Sequence, residues 1–539
     1  MLNQANVPPR SGTGSQNDTT SIIDLFDTAS PEERIFSEFI EDLVQKFLTT
    51  TEVHSTISGD RLNEMFRGSV VAPTPLSVAE YLSKLDTTIV EHSIHTSSPR
   101  CIGHMTSSLP YFMRPLAKLL VAMNQNMLKA DAALALNHCE RQVLAMLHHL
   151  LFQNPDTFYD QHMQCRDSTL GMITSGGTLS NISALWCARN ACLGGNDTFP
   201  GVEKAGLSAA LSYYGYRDAV IIGSTAMHYS FAKAAEILGI GTLNLLQVPA
   251  DRHDRLDMQA LRHLVEDCRA RKRLIIALVG IAGTTNHGSI DPLAEIAELA
   301  QEFGIHFHVD AAWGGPLLFS RQHCQKVVGI ERADTVTIDG HKQMYAPLGT
   351  GIVLFRDPLL ARSIEKHAWY TIRPDSSDAG RRTIEGSRSG TALFLHAALN
   401  LIGHSGYETL IDHNIANAQY MAHVVRTHKE FELLAQPQTN IVVYRYIPEA
   451  YRPSLGVVPV NHDHCQEINM FNRRLHELQY EAGHTFVSYT VTTSTGYGID
   501  RPVTALRAVL SNPLITQADI DAVLDEQCCI AHSLAKKAV

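Results

Sequence analysis

The run PEERIFSEFIEDLVQKFLTT sets Ile35, Phe36, Phe39, Ile40, Leu43, Val44 and Phe47 at helical spacing, with Pro31 at the start where proline is tolerated. Such a helix has one apolar face and needs a surface to bury it against. Residues 1–30 are instead rich in Ser, Thr, Gly, Pro and Asn. They cannot bury enough apolar area to offset the entropy of ordering and read as a flexible tail. Beyond about residue 105 the pattern changes. Short β-rich runs at 170–173, 219–222, 274–279, 305–309, 335–338 and 351–355 alternate with helical stretches such as 293–303. That alternation predicts a mostly parallel sheet covered by helices, a layout that gathers ligands at the carboxyl ends of its strands. The longest apolar run, Leu274 to Gly283, is too short to span a bilayer and reads as a buried parallel strand. Toward the C-terminus a helix over 407–429 mixes with short strands over 440–446 and 485–493. The expected organisation is a tail (1–30), an N-terminal helical segment (31–104), a large α/β domain (105–390) and a small α+β domain (391–539).

Composition narrows the function. A chain of 539 residues with 45% hydrophobic and 18% charged positions is a globular protein of more than one structural unit. Its net charge of -11, without any basic stripe, argues against nucleic-acid or anionic-membrane partners and leaves small-molecule chemistry. The ten cysteines are scattered, with only Cys528 and Cys529 adjacent, and the first residues lack a basic-then-apolar pattern. Both features predict a reduced, cytoplasmic setting.

Candidate chemistry concentrates in two strand-end segments. TVTIDGHKQMYAPLGTG delivers Lys342 into a glycine-containing turn, and HFHVDAAWGG ends another short strand in Asp310. A lysine and a carboxylate at neighbouring strand ends can reach opposite ends of one small heteroaromatic ring. Pyridoxal phosphate (PLP) requires that pair, an amine for its aldehyde and an acid for its ring nitrogen. A carboxylate there raises the ring nitrogen's pKa and keeps it protonated. Upstream, SGGTLSN lies between the strand GMIT and an apolar helical run. Its glycines and the following helix N-terminus suit a phosphate held by Ser175, Gly176, Gly177 and Thr178.

HVDAAWGG followed by DGHK resembles the group II PLP-dependent amino-acid decarboxylases, the family of the glutamate, aromatic amino-acid and cysteine sulfinate enzymes. The similarity runs from about residue 31 to about residue 527 in the family's motif order, and is greatest to the bacterial aspartate 1-decarboxylases. It implies the PLP-dependent transferase fold type I, with a seven-stranded-type sheet. It also implies a homodimer whose N-terminal helices pack across the interface and whose active site lies there, and no metal. Lys342 would carry the cofactor and Asp310 would face its ring nitrogen. His228 would stack on the ring face opposite Ala312, and His341 would either touch the phosphate or be structural. Thr284, in the Gly-Thr-Thr loop, would bond the ring hydroxyl or Asp310, or else form a simple turn.

Arg507 matches the family's clamp on the substrate α-carboxylate, for which a guanidinium fork is suited. Tyr370, in a polar segment with Pro374 and Gly380, matches the loop tyrosine that returns a proton to Cα. His104 falls in a segment that enters the substrate pocket, although its GHM string also resembles tyrosine decarboxylases. Two departures stand out: Thr335 replaces the usual Ser, and Gln343 follows the lysine where an apolar residue is commoner. The implied reaction is decarboxylation of L-aspartate to β-alanine, supplying pantothenate and coenzyme A synthesis. Glutamate and cysteine sulfinate are the alternative substrates. An aminotransferase of the same fold would also need the Asp and Lys but not the tyrosine loop.

Overall fold

The computed structural model describes residues 24–251, 253–368, 376–454, 462–492 and 502–537. It divides into two compact units, one of residues up to 98 with 482–484, the other of 99–481 with the remainder. In the first unit the helix Pro31–Thr49 begins on Ser30, whose side chain accepts from the Glu33 amide, and it buries Leu43. The rest of its apolar face is only partly covered, with Ile35 54% exposed.

The second unit is built on a seven-stranded sheet of β1 (Gly171–Thr174), β2 (Asp218–Ser224), β3 (Leu245–Val248), β4 (Arg273–Ile281), β5 (Phe307–Asp310), β6 (Thr335–Asp339) and β7 (Gly351–Phe355). The strand order is β1-β7-β6-β5-β4-β2-β3. Strands β3, β2, β4, β5 and β6 run parallel, and β7 is antiparallel to both β6 and β1. Apolar residues run continuously along β2, β4 and β7 because both faces are covered. Alternate side chains enter different cores: Val220 and Ile222 pack with Leu278, Val309 and Ile338, whereas Ala219 and Ile221 pack with Ile276 and Phe231. The predicted strands fall within a few residues of β1, β2, β4, β5, β6 and β7. Strand β3 was not foreseen, because it is a short edge strand with three of its four residues at least partly exposed and carries no core periodicity.

The same unit holds a four-stranded antiparallel sheet, order β10-β11-β9-β8, of β8 (Phe431–Leu433), β9 (Ile441–Tyr446), β10 (Ser488–Thr492) and β11 (Val503–Val509). Residues of the helices Gly403–Thr427 and Gln517–Lys537 share its core. Every residue of β11 is buried, which fixes Arg507 firmly in place. Among the described residues no helix is long and apolar enough to cross a membrane.

Candidate active site

Strands β5 and β6 lie side by side, with Asp310 opposite Thr337, so their carboxyl ends open at one edge of the sheet. Asp310, the last residue of β5, is buried. Its Oδ1 accepts from the Ala312 amide at 3.1 Å and its Oδ2 from the side-chain amide of Asn181 at 2.9 Å. Lys342 follows β6 in a tight turn, and its ammonium lies 3.0 Å from Asp339 Oδ2. Two neighbours brace that turn. Gln343 is buried and donates to the Trp313 carbonyl at 2.8 Å, which accounts for a polar residue after the lysine. Tyr345 sits in the left-handed region at φ 57 and is held by the Asn414 amide at 2.8 Å.

The turn after β1 leads through Gly176 into the helix Gly177–Cys192, whose N-terminus has no side-chain cap. The first amides of any helix lack an intrahelical acceptor, so those of Gly177 and Thr178 are available to an anion. Gly177 is required by close approach, because a Cβ there would come within 2.8 Å of Asp339 Oδ2. His341 lies against Gly176, and its Nδ1–H donates to the Thr350 carbonyl at 3.2 Å. The Ser175 amide donates to Glu385 Oε1 at 3.1 Å.

These segments enclose a cavity of about 480 Å³. Ser175, Gly176, Gly177 and Thr178 line one part of it, and Asp310, His341 and Lys342 another, with His228 and Ala312 also on the wall. Burial, together with the Lys342 charge, pulls the His228 imidazole below the ordinary histidine range, against the opposing pull of Asp310. Thr284 is buried, its hydroxyl paired with that of Ser289 at 2.8 Å, and Thr285 lines the cavity.

Arg507 backs onto that loop. Its Nε donates to the Thr285 carbonyl at 2.7 Å and its Nη1 to the Ser488 hydroxyl at 3.0 Å, while Nη2 is buried with no partner among the described residues. Burial pushes its pKa down to about 10, so it remains a cation at pH 7. His104 stands in a rim segment whose next residue, Met105, lines the cavity, and its Nδ1 accepts from the Thr106 amide at 3.3 Å. Surrounding protein, and then the charges of Arg507, Lys342 and His341, push its imidazole down. Tyr370 lies outside the described residues.

Four polar residues that the structure packs into or against these segments were not singled out by sequence reasoning. Asp339 stood within the TIDGHK motif, where a carboxylate three residues before a lysine was visible but unassigned. Asn181 and His308 were quoted only as parts of motifs, and Glu385 had no local signature at all. The residues present fit PLP: an uncapped helix end for a phosphate, a buried carboxylate with lone pairs to spare, an amine between them, and a buried guanidinium nitrogen lacking an acceptor.

An amine and a carboxylate at adjacent strand ends, beside an anion-accepting helix start, define a PLP-dependent protein. The family described as "Pyridoxal-dependent decarboxylase conserved domain" matches residues 70–447. The chain is 41% identical over 503 residues to aspartate 1-decarboxylase of Aliivibrio fischeri, covering 93% of this chain and 91% of that one. It is 28% identical to L-2,4-diaminobutyrate decarboxylase of Rhizobium meliloti, covering 78% and 81% of the two chains. Among solved structures, apo mouse CSAD superposes with a TM-score of 0.80 at 25% identity, covering 92% of this chain and 98% of that one. The chain belongs to the pyridoxal-dependent decarboxylase family; it has the fold type I architecture and takes PLP as its cofactor.

Proposed function

We propose that this protein removes the α-carboxylate of L-aspartate to give β-alanine and carbon dioxide. The observation that carries the reading is the 41% identity to the Aliivibrio fischeri aspartate 1-decarboxylase along nearly the whole of both chains.

PLP, when bound, supplies an aldehyde that condenses with amines and a ring that accepts the electron pair of a broken Cα bond. The remaining work falls to side chains. Lys342 would hold the cofactor through its Nζ, with Asp339 Oδ2 3.0 Å away to steady charge on that nitrogen. Asp310 keeps the ring nitrogen protonated. Gly177 and Thr178 present amides to the phosphate, with Ser175, Gly176 and His341 beside it. His228 and Ala312 flank the ring plane. The Arg507 guanidinium would grip the α-carboxylate through Nη2 and so orient the bond to be broken. Tyr370 returns a proton to Cα.

The protein works as a cytoplasmic homodimer in this reading. Its cysteines are all unpaired, and the partly covered apolar face of the helix Pro31–Thr49, with Ile35 exposed, is suited to a second copy. The decisive experiment offers aspartate, glutamate, cysteine sulfinate, 2,4-diaminobutyrate and tyrosine separately to the PLP-loaded enzyme and quantifies the amine products. Preference for any substrate other than aspartate would overturn the assignment. Sedimentation tests the dimer.

A further inference from the structure

Behind Asp310 lies a buried row of polar groups that the reaction itself does not touch. Asn181, on the helix Gly177–Cys192, donates both hydrogens of Nδ2, one to Asp310 Oδ2 at 2.9 Å and one to the Ser230 hydroxyl at 3.0 Å. Its Oδ1 lies 3.1 Å from His308 Nε2. His308 Nδ1 lies 2.9 Å from the Thr335 hydroxyl, and His306 Nε2 lies 2.9 Å from that same hydroxyl. Asn181, His308 and Thr335 are all buried.

The hydrogens in this row have one consistent arrangement. If the Asn181 amide were turned over, its oxygen would face the Asp310 carboxylate, acceptor against acceptor. Oδ1 therefore faces His308, and Nε2 must carry a hydrogen. Burial pushes the pKa of both His308 and His306 down to about 4, so each ring is neutral with a single N–H. His308 Nδ1 must then accept from the Thr335 O–H, which leaves the Thr335 oxygen to accept from His306 Nε2–H. Four hydrogen bonds thus point the same way and end on Asp310. Bonds in such a chain polarise one another, and donation to a carboxylate favours its charged form.

We infer that Asn181, His308 and Thr335 are positioning residues that hold Asp310 as an oriented anion against the cofactor's ring nitrogen. The inference rests on the reading of Asp310 as that nitrogen's partner. It also accounts for Thr335: a hydroxyl is required there to link two imidazoles, which Thr and Ser supply equally.

The test uses holoenzyme loaded with PLP labelled with ¹⁵N in the ring, with the protonation of that nitrogen read by NMR. Asn181→Leu keeps the side-chain shape and removes the donor. The ring-nitrogen signal should move toward the unprotonated position, the PLP dissociation constant should rise about tenfold, and kcat should fall about tenfold or more with KM little changed. Asp310→Asn is the control. If that variant leaves the signal at the parent position, the reading of Asp310 fails; if it moves the signal while Asn181→Leu does not, only the relay fails. Should Asn181→Leu not fold, Thr335→Val and Thr335→Ser decide the matter. Val should move the signal in the same direction and Ser should restore it, and identical behaviour of the two would overturn the inference.

Discussion

Replacing Arg507 with Lys keeps a positive charge but removes the fork. In the parent, Nε and Nη1 are committed to the Thr285 carbonyl and the Ser488 hydroxyl, which aims the guanidinium and leaves Nη2 for a ligand. A lysine ammonium is a point donor and cannot satisfy both anchors while also presenting a donor where Nη2 stands. The loss is one charge-assisted hydrogen bond, about 1.5–3 kcal/mol, together with the orientation of the breaking bond. About 2–3 kcal/mol converts to a loss of roughly 30- to 160-fold in kcat/KM for aspartate. The assay follows β-alanine formation by chromatography, with visible absorbance confirming that PLP is still bound. Inhibition by β-alanine supplies the control, since it lacks the α-carboxylate: its inhibition constant should change little in Arg507→Lys. If aspartate kinetics stay within threefold of the parent, or if β-alanine binding weakens as much as aspartate turnover, Arg507 does not grip the α-carboxylate.

Three further outcomes are expected. Borohydride reduction of the parent should place a pyridoxyl group on Lys342 by mass spectrometry, and Lys342→Ala should bind PLP without that adduct and lose turnover; an adduct on another lysine would refute the site. Tyr370→Phe should still release carbon dioxide from aspartate but lose activity over successive turnovers as pyridoxamine phosphate accumulates, whereas β-alanine formation at the parent rate would reduce Tyr370 to a packing residue. Stability should rise from pH 4 to about 6.5. Shielding from water lowers the pKa values of His148, His306 and His308 from 6.5 to about 4, so the unfolded chain binds up to three more protons in that window. Asp291, raised by burial from 3.8 to about 7, opposes with one proton held by the folded state, leaving a positive slope of thermal midpoint against pH. A flat or falling midpoint over that range would contradict the burial of these imidazoles.

The sequence alone determined what depends on neighbours along the chain. Continuous apolar runs marked β2 and β4 because a strand buried on both faces needs no polar alternation, whereas the alternation of TVTID marked β6. The helix 293–303 was legible because its periodicity is complete within eleven residues. Lys342 and Asp310 were legible because each ends a recognisable strand, and Ser175 to Thr178 because a glycine turn precedes a helix.

Tertiary structure decided whatever depends on residues meeting through space. It brought Asn181 to Asp310 across 129 positions and Arg507 to Thr285 across 222, contacts that no local pattern records. It assigned Thr284 to Ser289 and gave the cavity to Thr285, a choice between adjacent hydroxyls that only the course of the backbone settles. It turned Asp339 from an unremarked strand-end residue into the partner of Lys342, because the turn after β6 folds the lysine back over it. Local periodicity reports which face of an element is apolar; the pairing of faces, and hence of polar groups at their ends, is set by the order in which strands join the sheet.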